Sequence, residues 1–277
     1  MEYKSFYKVT DTRKANTWCL YTKRLDTYGK GCQHDCSYCY AKSLLNFRGL
    51  WDSKNPSIAN IDKIIRLVGK LDHSPVRLGG MTDCFQPIEK IHRVTYETIK
   101  ELNKNKIPYL IVTKSDMVAF DEYIDIYDKD LAHFQITVTF TDDANARNFE
   151  NCSPPSLRIK AIERLYNMGF DVSVRLSPFV YSFIDVGALN SINCNKILIE
   201  FLKVNHWVKS WFKIDYSEYS LKYGGYNHLQ LERKIELASI INGFDQMTVG
   251  EYVYSHHNYF SKNFNFNEHD CCNLNLT

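Results

Sequence analysis

Three cysteines stand close together in Gly31-Cys32-Gln33-His34-Asp35-Cys36-Ser37-Tyr38-Cys39-Tyr40-Ala41, spaced C-x3-C-x2-C. Thiolates at that spacing can cap three irons of a cubic [4Fe–4S] cluster, whose protein ligands are typically cysteines. The loop offers nothing to the fourth iron, and an open coordination position lets a cluster bind a small molecule as well as pass electrons. Zinc is the competing reading. It takes four ligands, commonly Cys or Cys/His pairs at separate positions. His34, inside the loop, is poorly placed to complete a tetrahedron with its neighbours. An inert loop is a third reading, weakened because exposed thiols are hard to keep reduced.

The rest of the composition sets bounds. The chain has 277 residues and nine cysteines, and an odd count fits poorly with a fully paired disulfide framework. The opening Met1-Glu2-Tyr3-Lys4-Ser5 lacks the apolar core of a signal peptide. No run of 18 apolar residues suggests a membrane span, so a cytoplasmic protein with reduced thiols is expected. A hydrophobic content of 44% and a charged content of 24% indicate a folded chain. A net charge of +2 argues against a protein that coats polyanions and leaves a local nucleic-acid groove open.

Elements that alternate regularly must position the loop. Strands are expected at Thr17 to Tyr21, Val76 to Leu78, Tyr109 to Thr113, Phe134 to Phe140, Val172 to Leu176 and Ile197 to Leu202. Between them Ile58, Ile61, Ile64, Ile65, Val68 and Leu71 recur at helical spacing, with Asn55 as cap and Pro56 in the first turn. Leu157, Ala161, Ile162, Leu165 and Met168 mark another helix, with Gly169 as its stop, and a further helix is expected from Leu229 to Ile241. Six strand–helix repeats imply a parallel sheet, either doubly wound or a complete or partial barrel, with its site at the C-terminal strand ends. Residues 1–245 read as one domain. Residues 246–277 read as an extension, either a tail or a cover over the barrel's open side drawn from Tyr252, Tyr254, Tyr259, Phe260, Phe264 and Phe266.

The string Gly-Cys-x3-Cys-x-Tyr-Cys-Tyr at residues 31–40 resembles the radical S-adenosylmethionine (SAM) superfamily, in particular its spore photoproduct lyase and DNA-repair-photolyase-like branch. Thr82-Asp83, Gln86-Pro87-x-Glu89, Thr113-Lys114-Ser115, Thr137, Glu150, Arg158 and Arg175 to Pro178 follow in matching order, so the resemblance covers roughly residues 17 to 180. It implies a partial (β/α)6 TIM-type barrel and a [4Fe–4S] cluster on Cys32, Cys36 and Cys39. It also implies that SAM is cleaved to a 5′-deoxyadenosyl radical that abstracts hydrogen from a substrate. Tyr38 would lie near the adenine, Thr82 and Asp83 near the methionyl or ribose part, Lys114 and Arg175 near the carboxylate, and Thr137 near the ribose. An external electron donor of flavodoxin or ferredoxin type is implied as partner.

The branch returns hydrogen to its substrate radical from a cysteine near the end of the second strand. Anchoring Asp83 and Lys114 to their matches puts Gly80 at that place. Cys84, Cys271 and Cys272 are then the candidate hydrogen donors, while Cys19, Cys152 and Cys194 read as packing residues. Nucleic acid or a nucleobase is the substrate class that the branch suggests. A peptide, amino acid or small metabolite is the alternative within the superfamily, and a non-enzymatic zinc or iron–sulfur module is the alternative outside it.

Overall fold

The structure is a computed structural model that describes residues 6–8, 21 and 23–274. Seven parallel strands form its centre: β1 (Lys23–Leu25), β2 (Val76–Leu78), β3 (Tyr109–Thr113), β4 (Ala132–Thr137), β5 (Asp171–Phe179), β6 (Lys196–Phe201) and β7 (Gln246–Val249). They lie side by side in chain order, and Phe6–Lys8 pairs antiparallel with β1 at the edge. No pairing closes the sheet into a ring among the described residues. The fold is a partial TIM-type barrel.

Every residue of β3 and β4 is buried, as suits strands covered on both faces. Ala132, Phe134 and Ile136 face the helical layer, where Phe134 packs on Tyr127 and Phe170 at ring distances of 4.8 and 5.6 Å. His133, Gln135 and Thr137 take the other face, toward the lumen. Crossover helices supply the outer layer: α1 (Tyr40–Phe47), α2 (Ile61–Val68), α3 (Val94–Lys104), α4 (Pro155–Asn167) and α5 (Leu231–Ser239), followed by α6 (Tyr254–Asn263) after β7.

Several expectations shift. The first strand lies at Lys23–Leu25, and Thr17 to Leu20 fall outside the described residues. The cap of α2 is Asn60, whose side chain accepts from Lys63 N at 3.1 Å. Asn55 is held in a turn by Asp52, and Ser57–Ile58 pairs with Tyr28–Gly29. α4 begins with a proline in its first turn, and Gly169 follows with φ +82°, a conformation that glycine adopts without cost.

The sheet has seven parallel strands where six were expected, because Gln246–Val249 pairs with β6. Beyond it, Phe260 is fully buried in the main core and packs against Phe264 and Phe201. The chain then returns to the lumen. Cys272 and Leu274 join Tyr21, Leu110 and Val112 in a second apolar cluster. Asn273 bonds to Gln246 O at 3.1 Å, and its carbonyl accepts from Lys196 Nζ at 3.4 Å. Gln246 and Lys196 open their strands, so residues 270–274 plug the N-terminal end of the lumen.

Candidate functional site

The cluster loop leaves the C-terminal end of β1 and is fastened from several sides. Asp26 accepts from Gly80 N and Met81 N at 2.9 and 3.0 Å, which joins the loops after β1 and β2. Gln33 N donates to Gln86 Oε1 at 2.9 Å, and Gln33 Oε1 accepts from Ile88 N at 2.7 Å. Gly31 passes so close to the chain that a Cβ there would lie 1.8 Å from Asp52 O. Only glycine fits. Glu89 buttresses this region from behind, accepting from Tyr28 and from Tyr123 Oη, Thr95 N and Tyr96 N.

Cys32 and Cys36 are buried, Cys39 is half-buried, and all three are free thiols. Cys39 caps α1, with Lys42 N 3.4 Å from its sulfur. Backbone amides at a helix start favour a thiolate, yet burial and the neighbouring Cys36 push Cys39 up to about 11. Burial also raises Cys32, together with Asp83 and Cys36. A hydrogen bond from the Cys152 thiol holds Cys36 below the ordinary thiol value against its burial. Soft sulfur donors on a pinned, largely dry loop are the donor set that an iron–sulfur cluster takes.

Asp83, just beyond β2, joins the loop to the next strand. One carboxylate oxygen accepts from Phe85 N at 2.8 Å and Thr113 Oγ1 at 2.7 Å, and the other accepts from Lys114 N at 2.6 Å. His34 Nε2, on the cluster loop, lies 3.3 Å from that second oxygen. Burial would raise the Asp83 carboxyl, but His34 and these donors hold it below the usual range. Asp83 is therefore saturated by protein, and it acts on the site by placing Lys114 and His34.

Lys114 Nζ lies 3.2 Å from Ser177 O and 5.4 Å from the centre of the Tyr38 ring. Among the described residues, one of its three donors has a protein acceptor. Tyr38 packs edge-on against Phe212 at 5.4 Å, and its hydroxyl bonds to Glu150. Glu150 in turn pairs with Arg158, which is fully buried and donates to Thr137 O at 2.7 Å. Thr82 Oγ1 donates to Tyr28 O at 2.5 Å. Arg175, beside Thr137 in the sheet, binds Gln135 and Glu200.

Three sequence candidates lie elsewhere. Cys84 is buried in the main core, and burial pushes its thiol well up. Cys271 and Cys272 belong to the plug in the lumen. Cys272 O accepts from Gln135 Nε2 at 2.8 Å, and the other end of that amide takes Arg175. Sequence reasoning missed Asp26, Glu200 and Cys152. Cys194 is buried, with its sulfur 3.3 Å from Val172 O, and Cys19 lies outside the described residues.

The model of the radical SAM superfamily matches residues 27–185, which include the cluster loop, Asp83, Lys114 and Arg175. The chain belongs to the radical SAM superfamily. Radical SAM proteins are enzymes, and membership implies SAM and an iron–sulfur cluster as cofactors. An uncharacterized protein of Methanocaldococcus jannaschii is 29% identical over 161 residues, covering 56% of this chain and 60% of that protein. Among solved structures, spore photoproduct lyase complexed with dinucleoside spore photoproduct superposes with a TM-score of 0.62 at 14% identity, covering 90% of this radical SAM chain and 79% of that one. Streptococcus suis SuiB bound to precursor peptide SuiA gives 0.56 at 14% identity, covering 90% and 53%. Identities this low support a shared fold. Among the described residues, no helix is long and apolar enough to cross a membrane.

Proposed function

We propose that Cys32, Cys36 and Cys39 bind three irons of a [4Fe–4S] cluster, with SAM bound beside it against Lys114 and Tyr38. A reduced cluster and SAM held there would supply reductive cleavage of the sulfonium and, through it, hydrogen abstraction from a substrate. The chain's own residues bind and orient. Lys114 offers its remaining donors to a carboxylate. Asp83 fixes the main chain of Lys114 and faces His34 of the loop, so cluster and ligand sites share one rigid joint. Thr137 and Arg175 line the lumen below, where Glu200 balances the Arg175 charge. The plug at 270–274 closes the far end against solvent, as radical chemistry requires. The single observation that carries this reading is the Asp83 carboxylate tying the Thr113–Lys114 strand end beside the cysteine loop.

The substrate we propose is a nucleic acid or nucleobase, and an external flavodoxin- or ferredoxin-type protein supplies the electron. Spore photoproduct lyase shares the fold and is seen with a dinucleoside. On the same end of the sheet, beyond β6 and β7, Lys203 lies over the rings of Tyr252 and Tyr226 at 4.7 and 5.9 Å. Gly224 lets the Tyr252 ring sit where a Cβ would be 2.5 Å away. Half-buried tyrosines beside a lysine suit base stacking next to a phosphate. Anaerobic reconstitution with iron and sulfide tests the ligand set. Cys36→Ala should lose iron and the broad visible absorption, and Cys194→Ala should keep both; equal loading of the two would refute it. Oligonucleotide binding that weakens steeply with salt and with Tyr252→Ala supports the substrate class, and binding indifferent to both would contradict it.

A further inference from the structure

Cys152 was expected to be a packing residue, yet its sulfur lies 3.6 Å from that of Cys36. The main chain explains the approach. Ser37 N donates to Phe149 O and Asn151 N donates to His34 O, both at 2.8 Å, so residues 149–152 run alongside the cluster loop. Among the described residues, the other sulfur pair in hydrogen-bond contact is the sequence-adjacent Cys271 and Cys272. Cys36, Glu150 and Cys152 also converge within reach of one ion. Glu150, however, is already bonded to Arg158 and Tyr38, which leaves the two sulfurs as the reactive pair.

We propose that Cys36 and Cys152 form a reversible disulfide when the protein lacks its cluster and meets a peroxide. The sulfurs need to close to a bond of about 2.05 Å from van der Waals contact. One thiolate attacks a peroxide oxygen, the O–O bond breaks, and a sulfenic acid and one water result. The second thiolate displaces hydroxide from that sulfur as the S–S bond forms, and the two protons given up by the thiols turn the hydroxide released at each step into water. Two thiols lose two electrons and the peroxide gains them. While the bond persists, Cys36 is denied to iron and the loop keeps only Cys32 and Cys39. A thiol reductant reopens the site. Bound iron occupies Cys36 and so protects it. This consequence for loading rests on the ligand assignment above, whereas the cross-link itself does not.

The test uses the full chain, stripped of iron with a chelator, treated with hydrogen peroxide, alkylated and digested with trypsin. Residues 148–158 form one peptide in which Cys152 is the sole cysteine, and residues 31–42 form another that carries Cys32, Cys36 and Cys39. The expected product joins these two peptides, with fragmentation placing the bond at Cys36. Dithiothreitol should cleave it and restore the iron uptake lost on oxidation. Cys152→Ala should lack the cross-link and, when reduced, load iron like the wild type. Alkylated Cys152 after peroxide, or a bond from it to Cys32 or Cys39, overturns the proposal. Failure of reduced Cys152→Ala to take up iron also overturns it, by making Cys152 a ligand. A cross-link in a protein that never loads iron would leave the disulfide standing and remove the cluster reading.

Discussion

Glu150→Gln is the most exacting perturbation of this site. Arg158 is fully buried, and its charge faces Glu150 and the Thr137 carbonyl. Glutamine keeps the shape of Glu150 and removes its charge, which leaves a guanidinium uncompensated in a dry interior. Breaking a buried pair from one side costs about 3–5 kcal/mol, a large share of the ~5–15 kcal/mol that holds a typical native protein. With a urea slope of about 3 kcal/mol/M, the unfolding midpoint falls by roughly 1–1.7 M. Tyr38 loses its charged acceptor in the same step, so the cluster loop should loosen too. The assay is urea unfolding of the iron-free, reduced protein, run for Glu150→Gln, Arg158→Met and the double variant. Removing both charges spares each the penalty of an unpaired partner, so the double variant should cost about 2–3 kcal/mol less than the sum of the singles. Additive costs, or a Glu150→Gln loss under about 1 kcal/mol, would refute the view that this pair anchors the loop.

Gly31→Ala should cost iron loading, because the added carbon would meet the Asp52 carbonyl at 1.8 Å and backbone cannot yield as a side chain does; unchanged iron per chain would contradict this. Leu274→Ala removes a buried anchor of the lumen plug and should lower stability by about 2–4 kcal/mol in urea unfolding, and a loss under about 1 kcal/mol would place the tail outside the core. The Glu200 carboxyl is raised by burial, but Arg175 and Ser177 outweigh this and bring it from 4.5 to about 2. A depressed carboxyl stabilises fully above its unfolded value and loses that effect as pH falls through its folded value. The stability margin of the wild type over Glu200→Gln should therefore be full above pH 4.5 and shrink toward pH 2, as read from unfolding midpoints. A margin independent of pH would show that Arg175 does not face Glu200 as an ion.

Strands β3 to β6 were legible because covered strands carry dense β-branched and aromatic runs, as in Tyr109 to Thr113, and the short β2 was marked by the Gly79-Gly80 that follows it. β1 and β7 were not. Lys23–Leu25 is three residues with two charges, and Gln246–Val249 is four residues with a polar start, too short for any period to show. Asn55 was expected to cap α2, but Asp52 already engages it and Asn60 is the cap instead. The cysteine loop was legible because its three cysteines are local. Cys152 was not, since two backbone bonds between loops more than a hundred residues apart bring it to Cys36. Asp83 and Arg175 could be singled out in the sequence, but their saturation by Lys114, Thr113 and Glu200 depends on strand register, which no single segment encodes.

The central claim is that Cys32, Cys36 and Cys39 serve SAM cleavage. Its most direct test is the anaerobically reconstituted full chain, reduced with dithionite and given SAM, with 5′-deoxyadenosine measured against time. The account predicts that 5′-deoxyadenosine forms with the wild type and is lost with Cys36→Ala. A folded, iron-loaded wild type that leaves SAM intact would contradict it.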